Sequence, residues 1–290
     1  MPEPDIDAAT VEFQAARGRL FGIAYRMLGT VAEAEDVVQD AWLRWQGTDR
    51  SQVRNAAAFL STVTVRLAIN ASASARARRE VYAGPWLPEP VLTEGDPMLG
   101  AERTEALEIG LLLLLERLTP NERAVYLLRE AFDYDFREIA EVLEISESNA
   151  RQLARRARSH LEEDRPKPVA TAERDRLLRA FLIAAQSGDL EQLESLLAED
   201  IVLYADGGGV VTASPRPVVG RDRLSKLFSA GGAGFTEGVA VEYIQANGEN
   251  AAVLSRDGKP FAFCSITAGE HGIERLFVVL NPDKLRGLRS

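Results

Sequence analysis

DYDFREIAEVLEISESNARQLARRARSHLEE, residues 133–163, decides how the first half of the chain folds. Apolar residues recur at three- and four-residue spacing on both sides of Glu144-Ile145, which predicts a helix over 135–143, a tight turn, and a second helix over 146–162. Ile139, Ala140 and Leu143 of the first can pack against Ala150, Leu153, Ala157 and Leu161 of the second, as a helix-turn-helix requires. Opposite that face the second helix presents Ser148, Asn149, Arg151, Gln152, Arg155 and Arg156, side chains that hydrogen-bond base edges and phosphates in a major groove. One residue runs against the pattern. The turn favours Gly where Glu144 stands, and positive φ in a non-Gly residue costs on the order of 1 kcal/mol.

Working outward, residues 1–165 read as almost pure helix. Thr119-Pro120-Asn121-Glu122 is a helix start, with a capping Thr, a Pro at the first helical position and a Glu placed to cap back. Thr30 and Glu33 repeat the capping pattern, and Val37, Val38, Ala41, Trp42 and Trp45 follow as one apolar stripe with Glu33, Asp36 and Asp40 off it. At least one of the two tryptophans is expected in the core. A further helix runs from about Ala56 through Phe59, Leu60, Val63, Leu67 and Ile69 into a basic cluster. Between Thr64 and Arg79 stand Arg66, Arg76, Arg78 and Arg79 with no acid, beside polar Asn70, Ser72 and Ser74. Arg151, Arg155, Arg156 and Arg158 form a second cluster. The whole chain of 290 residues carries a net charge of -10, yet such local clusters are the footprint of a polyanion partner.

GPWLPEP, residues 84–90, holds three prolines and predicts an extended connector, but its Trp86 and Leu87 need a surface to cover them. Breakers recur at Gly95 and Pro97, and helix resumes near Ala101. No apolar run is expected to reach membrane-spanning length, since IGLLLLL at 109–115 is closed by Glu116 and Arg117. The acidic start, MPEPDID, lacks the basic region of a secretory signal, so a cytoplasmic location is expected. Beyond Arg165-Pro166-Lys167-Pro168 the character changes. Helices over 172–187 and 190–197, split by Gly188-Asp189, precede strands over 239–244 and 250–255 that flank Asn247-Gly248, then 261–267 and 273–280 around a turn at 269–272. This is an α+β domain of about 120 residues. Its chemistry is sparse. His160 lies late in the second helix of the helix-turn-helix, His271 falls in a turn, Tyr204 and Asp206 are the remaining pocket candidates, and a Gly-rich turn accounts for Asp206 without catalysis. Cys264 reads as a buried strand residue, and one cysteine allows no internal disulfide or cysteine-based zinc site. No catalytic residue, cofactor or metal is expected.

RGRLFGIAYRMLGTVAEAEDVVQDAWLRWQ, residues 17–46, with AAFLSTVTVRLAINASASARARRE, residues 57–80, strongly resembles region 2 of bacterial extracytoplasmic-function sigma factors, and residues 118–161 resemble their region 4. The resemblance implies two all-α sigma domains: region 2 over 1–83 and a region 4 helix-turn-helix over 101–165, joined by a proline-rich linker over 84–100. Glu35, Asp36, Gln39 and Asp40 would then dock core RNA polymerase. Arg66, Asn70, Arg76, Arg78 and Arg79 would serve the minus-10 promoter element, and Ser148, Asn149, Arg151, Gln152, Arg155 and Arg156 the minus-35 element. Three short motifs extend the likeness to the subgroup with a fused SnoaL-like, NTF2-like cone domain, here over 170–290. They are Trp86-Leu87-Pro88-Glu89-Pro90, Asp206-Gly207-Gly208-Gly209 and Asn281-Pro282-Asp283-Lys284-Leu285. In that subgroup a basic residue tends to follow the glycines, where this chain has Val210. The subgroup's C-terminal domain regulates the sigma core in cis, which implies that Trp86 and Leu87 dock around the Asp206 turn and the tail. A small-molecule ligand in that domain is left open. The rival classes are a ligand-responsive helix-turn-helix regulator acting without polymerase, which would need a dimer interface, and a SnoaL-like cyclase or isomerase, which would need a proton-transfer pair.

Overall fold

The computed structural model describes residues 6–93, 107–162, 169–231 and 238–288. Gly95, Pro97, the helix expected from Ala101 and the Arg165–Pro168 boundary lie outside them. The chain divides into two compact units. One comprises residues 1–80, 95–107 and 114–163; the other comprises residues 81–94, 108–113 and 164–290.

In the first unit α1 (Ile6–Leu28), α2 (Val31–Gln46) and α3 (Ala56–Glu80) pack as a bundle. The Thr30 hydroxyl accepts from the Glu33 amide and starts α2 as anticipated. Trp45 is the core tryptophan, its indole N–H donating to the Ala9 carbonyl at 3.1 Å, while half-buried Trp42 lies 4.9 Å from the Phe13 ring. α3 is the one helix, among the described residues, with the length and mean hydropathy to cross a membrane; its Ala, Val, Leu, Ile and Phe raise the mean, while Ser, Thr, Asn and Arg interrupt any continuous apolar run. Its apolar stripe, Leu60, Val65, Leu67 and Ala68, is buried within the unit.

α4 (Ile109–Leu115) leads to α5 (Pro120–Glu130), α6 (Phe136–Leu143) and α7 (Glu147–Glu162). Reciprocal capping boxes, Thr119 with Glu122 and Asp135 with Glu138, start α5 and α6. Asp135, read as the first helical residue, is thus the cap. The turn after α6 is closed by Glu144 in the left-handed conformation, φ 56°, with the Ile145 amide donating to the Ala140 carbonyl at 3.0 Å. Val142 and Ala154 take the buried positions expected of Leu143 and Leu153, a shift of one residue in each helix.

The second unit is built on one six-stranded sheet: β1 (Leu197–Asp206), β2 (Val218–Val219), β3 (Val239–Ala246), β4 (Glu249–Arg256), β5 (Lys259–Gly269) and β6 (Gly272–Val279), in spatial order β2-β1-β6-β5-β4-β3. α8 (Thr171–Ser187), α9 (Leu190–Leu196) and α10 (Arg221–Gly231) complete it. Hairpins join β3 to β4 through Asn247-Gly248 and β4 to β5 through Asp257-Gly258, all four residues at positive φ. β1 pairs in parallel with β6, and β1 and β2 come before α10, so helices do not simply precede strands.

Both faces of the sheet are apolar. Leu203, Leu254, Cys264 and Leu276 face Leu177, Leu178 and Phe181 of α8 and Leu224 of α10; Val253, Phe263, Phe277 and Val279, one residue out of phase, point the other way. That second face is covered by Leu87, Ile109, Leu113, Leu285 and Leu288. Gly110 lets α4 lie close, because a Cβ there would stand 3.1 Å from Thr267 Oγ1 and 3.4 Å from Phe277.

Candidate nucleic-acid interface and linker clamp

In the second unit the linker is pinned to the end of β1. Leu87 is fully buried in the second-face core, and Pro88 and Pro90 are buried with it. Asp206, 0% exposed, accepts on one carboxylate oxygen from the Tyr82 hydroxyl (2.6 Å) and the Gly208 amide (3.0 Å), and on the other from the Leu87 amide (2.9 Å) and Lys284 Nζ (2.7 Å). Lys284 also donates to the Leu87 carbonyl and sits 4.5 Å from the Trp86 ring and 5.0 Å from the Tyr82 ring. Asn281 donates to the Tyr82 hydroxyl at 2.9 Å, and its own side-chain oxygen accepts from the Asp283 amide at 3.0 Å. Burial first, then the bond to Asp206, pushes the Tyr82 phenol well above its ordinary pKa and keeps it a donor.

Gly208 explains the glycine run. Its φ is 61°, and a Cβ would fall 2.3 Å from Asn281 Nδ2. Val210 is 70% exposed; the cation facing Asp206 comes from Lys284 instead. Further along, the linker adds to the β3 edge. Leu92 bridges Ala246, the Thr93 amide donates to Gln245 at 3.0 Å, and the Asn247 amide donates to Val91 at 2.8 Å. Trp86, Leu87, Asp206, Gly208, Asn281 and Lys284 are therefore brought together. Pro282 and Asp283 stay exposed, and Glu89 is half-buried. Tyr82 is the partner that sequence reading missed, since nothing in its neighbourhood marks it.

In the first unit Ser148, Asn149, Arg151, Gln152, Arg155 and Arg156 are all exposed on α7, and the first five line a groove of about 480 Å³. Arg151 lies 4.7 Å from the Phe136 ring and pairs with Glu147, while Arg158 is drawn off to Glu130. On α2, Asp36, Gln39 and Asp40 are exposed; Glu35 pairs with Arg17 at 2.6 Å beside a groove of about 220 Å³ lined by Phe13, Val38 and Trp42.

The α3 arginines divide. Asn70 and Arg76 are exposed, Arg76 lying 3.8 Å from Glu80. Arg78 pairs with Glu33. Arg79 is largely buried, bonding to Glu116 and to the Leu28 carbonyl, with Arg123 on the other side of Glu116. Burial raises the Glu116 pKa, but Arg123 and Arg79 outweigh it and hold the carboxyl below its ordinary range. Arg66 turns its guanidinium to the end of α6: Nε donates to the Val142 carbonyl at 2.8 Å, Nη2 to Glu141 at 3.3 Å, and Nη1 meets Glu144 Oε1 at 2.8 Å. None of these partners was visible in sequence.

The helix-covered side of the sheet holds a cavity of about 30 Å³ between Phe181, Phe228, Leu254, Cys264 and Leu276. That is room on the scale of one water, too little for a larger ligand in this cavity. Burial pushes the Cys264 thiol up to about 12 and leaves it inert at neutral pH. Tyr204 stacks on Phe277 (5.6 Å) on the opposite face, and Asp206 is held by the linker, so neither points a proton-transfer group into this space.

Residues 13–79 match Sigma-70 region 2 and residues 109–161 match Sigma-70, region 4. The ECF RNA polymerase sigma factor SigJ of Mycobacterium tuberculosis is 36% identical over 95% of this chain and 93% of its own. This chain belongs to the ECF RNA polymerase sigma factors. The probable ECF sigma factor SigI of the same species is 30% identical over 98% of this chain and 97% of its own. The crystal structure of SigJ superposes with a TM-score of 0.75 at 33% identity, covering 96% of this chain and 98% of that one. The likeness spans the α+β unit as well as the helices. As a sigma factor the protein acts with core RNA polymerase on promoter DNA in transcription initiation, region 2 being α1–α3 and region 4 being α4–α7.

Proposed function

We propose that the C-terminal domain controls this sigma factor in cis by holding the linker between regions 2 and 4. The observation that carries the reading is the Asp206 carboxylate, whose two oxygens take the Leu87 amide of the linker, the hydroxyl of Tyr82 just before it, and Lys284 of the tail. A linker with its backbone bonded into a domain core is an anchor, and its geometry can bias where the flanking regions reach.

Within that reading the exposed α7 face contacts the minus-35 element, with Ser148, Asn149 and Gln152 on base edges and Arg151, Arg155 and Arg156 on phosphates. Asn70, Arg76, Arg78 and Arg66 of α3 serve the minus-10 element, Arg79 being taken up by Glu116 and the Leu28 carbonyl instead, and Glu35, Asp36, Gln39 and Asp40 of α2 dock a basic face of core polymerase. The protein works in the cytoplasm as a binding factor rather than an enzyme, without cofactor or metal.

In vitro transcription with core polymerase tests this. Asp36→Lys with Asp40→Lys should weaken core binding about tenfold or more, and Gln152→Ala should lower output from minus-35-dependent promoters about fivefold to a hundredfold, as for loss of one base contact. Asp206→Asn, which loosens the anchor, should change promoter output per bound polymerase at least twofold. Unchanged output with a demonstrably freed linker would sink the cis-control reading.

A further inference from the structure

Glu144, in the turn between α6 and α7, works against its own backbone, as Asp133 does in the turn before α6. It holds the left-handed conformation at φ 56° and ψ 42°, where Gly would sit without steric cost. Residues that break a local rule tend to be retained for what their side chains do elsewhere. Among the described residues the Glu144 carboxylate meets one partner, Arg66 of α3, at 2.8 Å. Arg66 at the same time donates to the Val142 and Glu141 carbonyls, the negative end of α6. Its guanidinium is thus offered a carboxylate and two carbonyl oxygens, an arrangement of acceptors like that of a phosphate.

We propose that the region 4 turn is a built-in decoy for region 2: Glu144 and the end of α6 occupy Arg66 in place of promoter DNA and hold regions 2 and 4 together until polymerase and promoter compete them apart. The proposal rests on the assignment of α3 to the minus-10 element made above. A second arginine of the same helix is treated alike, Arg79 being held by Glu116 of the segment between α4 and α5. The two contacts differ in what they can release. Glu116 is half-buried, 19% exposed, between Arg79 and Arg123, whereas Glu144 is 74% exposed. An exposed ion pair contributes well under the energy of a fold element, and it weakens with salt, which suits a contact that must open.

The test uses the full chain with Glu144→Gln, which keeps the strained backbone and deletes the charge, and Glu144→Gly, which deletes both. Spin labels at Ala58 and Ser159, both exposed, report the distance between the regions; buried Cys264 leaves the labelling to introduced sites. Both variants should lengthen or broaden that distance and raise transcription at limiting sigma about two- to fivefold, with added salt moving the wild type the same way. Unchanged distance and output in both variants overturn the proposal, as does a response confined to Glu144→Gly, which would assign the effect to the backbone. A wild type that opens with salt yet directs no promoter-dependent transcription would instead overturn the assignment of α3, and the two failures are told apart by the distance measurement.

Discussion

At the end of β1 Asp206 is 0% exposed, with donors on both carboxylate oxygens, whereas at the end of α6 Glu144 meets Arg66 with 74% of its side chain exposed. Both contacts set a cation against a carboxylate, but the solvent decides what each can do. Removing one partner of a buried pair leaves an uncompensated charge and costs about 3–5 kcal/mol, while an exposed pair contributes about 0–1 kcal/mol. The linker anchor therefore behaves as part of a core. The Arg66 contact behaves as an adjustable equilibrium, and regulation has most leverage where little energy shifts a population.

Asp206→Asn is the strongest way to break this comparison. It strands the Lys284 ammonium, which is 7% exposed, and should destabilise the C-terminal domain by about 3–5 kcal/mol. Calorimetry should show its Tm falling by roughly 10 °C or more, and proteases should begin to cut within residues 81–93. A loss below about 1 kcal/mol would place the anchor in the same class as a surface pair.

Glu249 sharpens the comparison with a buried carboxylate that is poorly neutralised. Arg174 lies 3.0 Å from it but also faces Glu108 and Asp175, each at 3.8 Å. Burial first, then Glu108 and Asp175, outweigh Arg174 and push the Glu249 carboxyl up to about 8. Its folded pKa thus stands above the unfolded value of about 4.3, so between the two the native state holds the extra proton. The stability this provides is complete below about pH 4.3 and is lost as pH rises toward 8, by at most about 1.4 kcal/mol per pH unit. Thermal unfolding from pH 5 to 8.5 should show that decline in the wild type, and Glu249→Gln should flatten it. A variant that keeps the full slope would assign it to other groups.

What was legible in the sequence follows the range of the forces involved. The helix-turn-helix, the capped starts of α2 and α5 and the Asn247-Gly248 hairpin are written in neighbouring residues, and the structure has them. β1 was not, because LAEDIVLYAD opens in a helical register and its parallel partner β6 lies some seventy residues on. α10 is a short helix behind a Pro-rich loop and escaped for want of a long apolar stripe. The linker motif showed that something must cover Trp86 and Leu87 without showing which residue is the anchor. Tyr82 and Arg123 carried no local signal at all. Glu144 was legible only as an anomaly, and only the fold supplies Arg66 as its partner.

The smallest effect tests the anchor residue by residue. Trp86 invites the larger role because of its size, yet it is half-buried against the Lys284 cation, whereas Leu87 is enclosed among Phe263, Phe277 and Val279. Leu87→Ala removes enclosed methyl groups and leaves a cavity, so it should cost about 2–4 kcal/mol. Trp86→Ala loses partial burial and one cation–π contact, and should cost about 1 kcal/mol. Urea unfolding of the two variants measures the ratio directly. If Trp86→Ala costs as much as Leu87→Ala, the indole carries the attachment, the linker is held from outside the core, and the anchor loses its distinction from the exposed Arg66 contact.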